Sequence, residues 1–304
     1  MRLAPSGEQF EISCGEQRAV LVEVGGGIRS YTHGERDVLE PYPESEICDG
    51  GHGAPLIPWP NRLADGVYVF DGTKYQLPIT EISRNNATHG LLRWQPWRCL
   101  DRWPDRVRLG IRLHPFPGYP FYLDVAIAYL LNDTGLSVTT TVTNLGDTDC
   151  PFASGQHPYL SPGPGGVDAA TLELDAAAFL DTDNPRQLPV GILKVDGSDK
   201  DFRTPRRIGA QRLDHAFTDL ARGADGRAVT RLTGADGHTV ELWVDGSYPI
   251  IQLFTGDTLA QPRARTGLAC EPMTAPSNAL ASGEHLVRLE PGEIHTSRWG
   301  TRLV

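Results

Sequence analysis

The sequence predicts an all-β fold, a large antiparallel β-sandwich. Three observations carry that expectation. Short segments rich in β-branched and aromatic residues recur along the chain; hairpin and Gly/Pro turn signals separate them at roughly 8–12-residue spacing; and no run holds a convincing helical period beyond a few turns. The 304 residues include 33 Gly and 24 Pro, and 39% are hydrophobic, which suits a sizeable core bounded by many turns. All-β folds often exceed about 200 residues as one unit. No composition shift marks a linker, so residues 1–304 are expected to form a single domain.

In chain order, residues 18–24 (Arg-Ala-Val-Leu-Val-Glu-Val) run into Gly25, Gly26 and Gly27, and an extended pattern resumes over 28–32. Residues 67–70 (Val-Tyr-Val-Phe) and 73–77 flank Asp71-Gly72, a two-residue hairpin signal. Residues 106–113 alternate polar and apolar with period 2, as a half-buried strand does. Residues 122–131 and 136–143 read as a long hairpin across 132–135, where Val138, Val142 and the threonines favour a pleated surface. Further strands are expected at 228–233, 239–244 and 250–254, and a last pair at 285–289 and 294–299. Residues 168–180, with their Ala and Leu content, are the stretch most open to another assignment.

Charge and composition exclude several function classes. Lys and Arg number 28 against 38 Asp and Glu, a net charge of −10, so a phosphate backbone finds no clustered cations and no nucleic-acid partner is expected. Neither a G-x-G-x-x-G nor a P-loop spacing is present. Residues 1–15 lack a basic patch followed by an apolar run, so no secretory signal is visible. No segment approaches the roughly 18 apolar residues of a membrane span. Cys14, Cys48, Cys99, Cys150 and Cys270 are odd in number and scattered, which argues against zinc and against a disulfide framework. Reduced thiols and a cytoplasmic location are expected, with no metal and no cofactor.

Five places hold titratable side chains within rigid, turn-bracketed sequence. Residues 60–66 (Pro-Asn-Arg-Leu-Ala-Asp-Gly) carry Arg62, whose planar donors suit hydroxyls or carboxylates; a structural ion pair is the competing role. Residues 85–92 carry His89 before an apolar run with Trp94 and Trp97 nearby. Residues 152–160 carry His157, bracketed by Gly155 and Pro158, which would fix its ring where a proton donor or acceptor must sit. Residues 213–217 carry Asp214, suited to a hydroxyl pair, beside Phe217, which would offer an apolar face. Residues 268–279 carry Glu271 in an apolar, proline-punctuated setting, where burial would raise its pKa and improve it as a base. Ser154 and Ser277 lack a nucleophile elbow. Two His, one Glu, one Asp and one Arg remain, a set suited to proton transfer on a polyhydroxylated substrate.

These motifs resemble the aldose 1-epimerase (galactose mutarotase) family, in order from about Gly53 to Gly300. The resemblance rests on Asn61 to Gly66, Thr88-His89-Gly90, Gly155 to Tyr159, Leu213 to Phe217, Gln252 to Gly256, and Cys270 to Pro276; Gly118 to Phe121 adds to it. It implies an antiparallel β-supersandwich with a sugar cleft on one sheet face, and interconversion of the anomers of a free aldohexose such as glucose or galactose. By position, His157 resembles the acid that protonates the ring oxygen, Glu271 the base at the C1 hydroxyl, and His89 the second histidine near the anomeric oxygen. Arg62 and Asp214 resemble hydroxyl-binding partners, and Asn61 and Gln252 stand with them in the binding motifs. The Pro-Met and Pro-Ser-Asn-Ala that follow Glu271 depart from the Gln and Pro-Asp-Ala of many members and bear on sugar preference.

Two competing readings share this fold. A hexose-6-phosphate 1-epimerase would need extra cations in the cleft, for which Arg84 and Arg93 are candidates, though the net charge of −10 favours a neutral sugar. A non-catalytic sugar-binding protein would use aromatics such as Trp59, Trp94 and Phe217 for stacking. A matched acid and base has no purpose in binding alone. Oligomeric state is not legible.

Overall fold

Alternation along the strands Leu123–Asn132 and Gly135–Asn144 sets the architecture. Leu123, Val125, Ile127, Tyr129 and Leu131 are buried while the residues between them face outward, and Leu136, Val138 and Val142 repeat the pattern on the paired strand. A second apolar sheet must cover that face. The structure, a computed structural model, describes residues 4–183 and 185–304. Among these residues, strands form a twelve-stranded and a nine-stranded sheet plus three two-stranded ladders. The strand pairs are antiparallel throughout both large sheets. The α-helices among the described residues, Gly166–Ala169 and Ala279–Ser282, have four residues each.

The core lies between the two large sheets. Phe10, Ile12, Leu21, Tyr31, Leu253, Leu268 and Cys270 from the larger one join the Leu123–Leu131 face in one cluster. Each such aliphatic or aromatic side chain contributes roughly 1.5–3 kcal/mol by leaving water. Ile127→Ala would cost about 2–5 kcal/mol, since close packing leaves a cavity. Polar contacts also tie the layers, among them Tyr129 Oη donating to Gly26 O at 2.6 Å and Gln156 Nε2 to Thr140 Oγ1 at 3.1 Å.

The expected hairpins form. Asp71 and Gly72 both take positive φ, as a primed two-residue turn requires, and Phe70 pairs with Thr73. Residues 168–180 contain only the end of the short helix before the strands Thr171–Leu174 and Ala176–Thr182 begin; tertiary pairing on both sides overrides the Ala and Leu content. All five cysteines are free. Among the described residues no helix is long and apolar enough to cross a membrane, and no cluster of three or more His, Cys, Asp or Glu could hold a metal.

Candidate active site

The central strands of the larger sheet carry the chemistry. Leu268–Met273 pairs with Ile250–Phe254, which pairs with Asp214–Leu220. Gln252 sits directly opposite Glu271, and Ala216 opposite Gln252, so these three share the face turned away from the core. Leu268 and Cys270 point the other way, into the core. Phe217 does the same: it is buried there at 1% exposure, because residues 214 and 216 take the site face. It therefore offers no apolar wall to a sugar, contrary to the sequence expectation. Trp59 is likewise buried in the core.

His157 follows the strand Gly155–Gln156, which pairs with Pro55–Leu56 and touches Met273. Its backbone is clamped from the loop before that strand: His157 N donates to Ala54 O at 3.1 Å, and Gly53 N donates to His157 O at 2.9 Å. Its ring stacks on Tyr159, two residues on and on the same face, at 5.1 Å and 14°. Tyr159 in turn stacks on His52 at 3.7 Å and donates its hydroxyl to Gly50 O. Gly51, at φ +77, lies so close that a Cβ there would sit 2.5 Å from His157 Cδ2. The loop 49–54 thus holds the imidazole.

His157 Nε2 lies 3.4 Å from Glu271 Oε1, with both side chains almost wholly buried. Burial raises Glu271 well above the usual carboxyl range, Asp214 adding to this and Arg62 opposing it. Burial also pushes His157 down to about 3, helped by His52 and Arg93. Each group's surroundings favour its neutral form. His89 stands edge-on to His157 at 5.5 Å; burial, and then His157, Arg93 and Arg62, hold its pKa well below 6.5. His89 Nδ1, His157 Nδ1 and Glu271 Oε2 are buried with no hydrogen-bond partner among the described residues.

The first two motifs meet by strand pairing, Arg62–Ala64 against Asn86–Thr88. Asn61 N–Cα is left-handed (φ 52), its carbonyl accepts from His89 N, and its Oδ1 accepts from Arg62 Nη1 at 3.3 Å. Arg62 is gripped by Glu81, Nε to Oε2 at 3.0 Å, and its Nη2 reaches toward Asp214 Oδ2 at 3.7 Å. Glu81 also accepts from Arg84 and Asn86. Burial alone would raise Glu81, but Asn86, Arg62 and Arg84 together hold it below the usual carboxylate range. Arg62 is therefore both a structural ion pair and a cleft residue. Ser277 and Asn278 hydrogen-bond this strand, so the divergent stretch after Glu271 acts as a clamp.

Asn61, Arg62, His89, His157, Asp214 and Glu271 line one cleft of about 200 Å³. Gln252 lines a small adjoining pocket with Asn61, Arg62 and Asp214, and its Nε2 donates to Asp214 Oδ1 at 2.7 Å. The residues missed by sequence reasoning are Gly51, His52 and Glu81; the Gly50-Gly51-His52-Gly53 run was the available signal for the first two. A larger cleft, about 680 Å³, opens by Arg36, Glu40, Gly165 and His238, but Asp236 there pairs with Arg36 and His238 is exposed. The smaller cleft, with its buried acid and base, is the candidate active site.

A family model described as aldose 1-epimerase matches residues 8–301. The chain is 35% identical over 291 residues to an Escherichia coli protein described as uncharacterized, YihR, across 95% of this chain and 91% of that one. Galactose mutarotase of Sus scrofa is 27% identical over 289 residues, 84% of this chain and 80% of its own. Among solved structures, a GalM/aldose epimerase homologue from C. elegans superposes with a TM-score of 0.87 at 20% identity over 98% of both chains.

Proposed function

This chain belongs to the aldose 1-epimerase family, and we propose that it interconverts the α and β anomers of an aldohexose with a free C1 hydroxyl. The observation that carries the reading is the buried His157–Glu271 pair at 3.4 Å, opening on a cleft among hydroxyl-binding side chains. Ring opening of a hemiacetal needs a proton delivered to O5 while another leaves O1. An acid and a base acting together contribute roughly 10²–10⁴ in rate.

In this reading His157 delivers its proton to O5 and Glu271 takes the proton from O1, giving the open-chain aldehyde. The pair holds one proton before the step and one after it. The state with His157 neutral and Glu271 protonated, which burial favours, is the one reached when the ring has opened. Rotation about C1–C2 turns the other carbonyl face toward the pair. Glu271 then returns a proton to O1 as His157 withdraws the one on O5. His89 hydrogen-bonds the anomeric oxygen, and Arg62 and Asp214 hold ring hydroxyls, with Asn61 steadying Arg62 and Gln252 steadying Asp214. The substrate is the small-molecule partner; the residues demand no cofactor for these transfers.

Polarimetry on freshly dissolved α-glucose and α-galactose tests this. The expected result is a decay of rotation far faster than the spontaneous one. No acceleration with any aldose would refute the reading and leave a sugar-binding protein.

A further inference from the structure

We propose that Gln156 is a positioning residue for the acid–base pair. Its amide ties the strand that carries His157 across the sandwich core to Thr140, at the rung where Pro272 has no N–H to link the His157 and Glu271 strands. The role of the pair rests on the mutarotase reading; the tether rests on strand register alone.

Gly155 pairs with Met273 and Tyr159 with Ala269, so His157 stands directly opposite Glu271. The 3.4 Å between their side chains is therefore set by how these two strands are held together. The strand Gly155–Gln156 is short, and Pro158 follows His157. Thr274 N donates to Ser154 O at 2.8 Å, and Cys270 N donates to Pro158 O at 3.0 Å. On the rung between these two bonds Gln156 faces Pro272, which has no N–H to give its carbonyl. The ladder thus lacks a donor beside both members of the pair.

A side chain makes up the loss. Gln156 and His157 are neighbours on extended backbone and point to opposite faces, one into the core and the other into the cleft. Gln156 is 1% exposed, and its Nε2 donates to Thr140 Oγ1 at 3.1 Å on the facing sheet. Thr140 takes the inward position between Val138 and Val142 of the core. Ser297, opposite Thr140 on the paired strand, donates its hydroxyl to Tyr248 Oη at 2.9 Å, so the anchoring end is braced in turn. An amide is costly to bury, and a methionine of the same length would fill the space. What methionine lacks is a directional bond to the opposite sheet.

The test measures polarimetric kcat and KM on α-glucose and α-galactose, with Tm, in Gln156→Met, Thr140→Val, their double variant and Thr140→Ser. Loss of the tether displaces the imidazole, so kcat falls about 10–100-fold in Gln156→Met and in Thr140→Val, with KM within about twofold. The double variant loses no more than the worse single one, because both remove the same bond. Thr140→Ser, which keeps the hydroxyl, retains most of the activity. The Tm of Gln156→Met stays within about 3 °C of wild type. In a Pro272→Ala background, where an N–H returns to the rung, Gln156→Met costs less. A kcat within about threefold of wild type in both single variants, additive losses, a Thr140→Ser variant as impaired as Thr140→Val, an undiminished cost beside Pro272→Ala, or failure of both single variants to fold would overturn the proposal. If wild type turns over no aldose, the mutarotase reading falls, and nitrogen NMR of histidine-labelled protein still decides. A His157 ring signal that shifts or broadens in Gln156→Met and Thr140→Val but not in Thr140→Ser supports the tether, and an unchanged signal overturns it.

Discussion

Replacing Glu271 by Gln separates the chemistry from the fold. The amide keeps the shape of a side chain that lies 3% exposed on a strand paired on both sides, so the sheet should persist. Catalysis should not: removing the base forfeits about 10²–10⁴ in kcat, a barrier increase of roughly 2.7–5.5 kcal/mol at 1.36 kcal/mol per tenfold. Stability should move the opposite way. Burial raises the folded-state pKa of Glu271, while the unfolded chain titrates near about 4.3. Above that value the unfolded state gives up a proton that the folded state keeps, so the wild type loses stability as pH rises toward the folded pKa. Gln does not titrate. The Tm of Glu271→Gln minus that of wild type should therefore grow between about pH 4 and pH 8, by roughly 1.5 °C per kcal/mol for 304 residues. Polarimetry gives the first quantity and scanning calorimetry at several pH values the second. A variant within about threefold of wild-type kcat, or a Tm difference flat with pH, would refute the argument.

Three further outcomes follow from the same geometry. Gly51→Ala places a Cβ against the His157 ring at a left-handed backbone position, so it should cost about 1–2 kcal/mol in denaturant melts and at least about tenfold in kcat through ring displacement. Gln252→Ala frees Asp214 from a 2.7 Å donor; loss of a hydrogen bond to a charged group, about 1.5–3 kcal/mol, should raise KM about tenfold in steady-state polarimetry with a smaller change in kcat. Burial lowers His157 to about 3 and His89 well below 6.5, so both lend stability that is full above about pH 6.5 and lost as pH falls toward their folded values. Acid denaturation midpoints should accordingly shift to lower pH in His89→Asn.

What was legible in the sequence was whatever local chemistry encodes. Period-2 alternation in residues 106–113 and the Asp71-Gly72 turn foretold strands and hairpin because side-chain direction and positive φ are local properties. The strand Leu268–Met273 gave no such signal. Its six residues are all buried, since core covers one face and the cleft the other, and a doubly covered strand loses its alternation. The same holds for the grip of Glu81 on Arg62 across 19 residues, and for Gly51, whose constraint comes from a ring more than 100 positions away. Phe217 is the instructive error. Counting two and three residues on from Asp214 assigns Ala216 to the site face and Phe217 to the core, so strand geometry held the answer that residue chemistry obscured.

The double covering of the Glu271 strand also explains why the pair sits where it does. A carboxyl on a solvent-washed strand would titrate near its ordinary value, and an exposed histidine would follow bulk pH. Here the core-facing Cys270 and the cleft-facing Glu271 alternate on one wholly buried strand, and the clamped loop at Gly51 and Gly53 keeps His157 equally dry. Low local dielectric makes either charge alone expensive, so in the proposed mechanism the two groups share a single proton instead of each following the solvent. The proposed mutarotation asks for that exchange and nothing more, because the sugar returns on closure the proton it took on opening. The kcat of wild type should then stay level through neutral pH, with no limb at the usual histidine value of about 6.5. A polarimetric profile that breaks there would mean that His157 titrates alone, and the shared-proton account would fail.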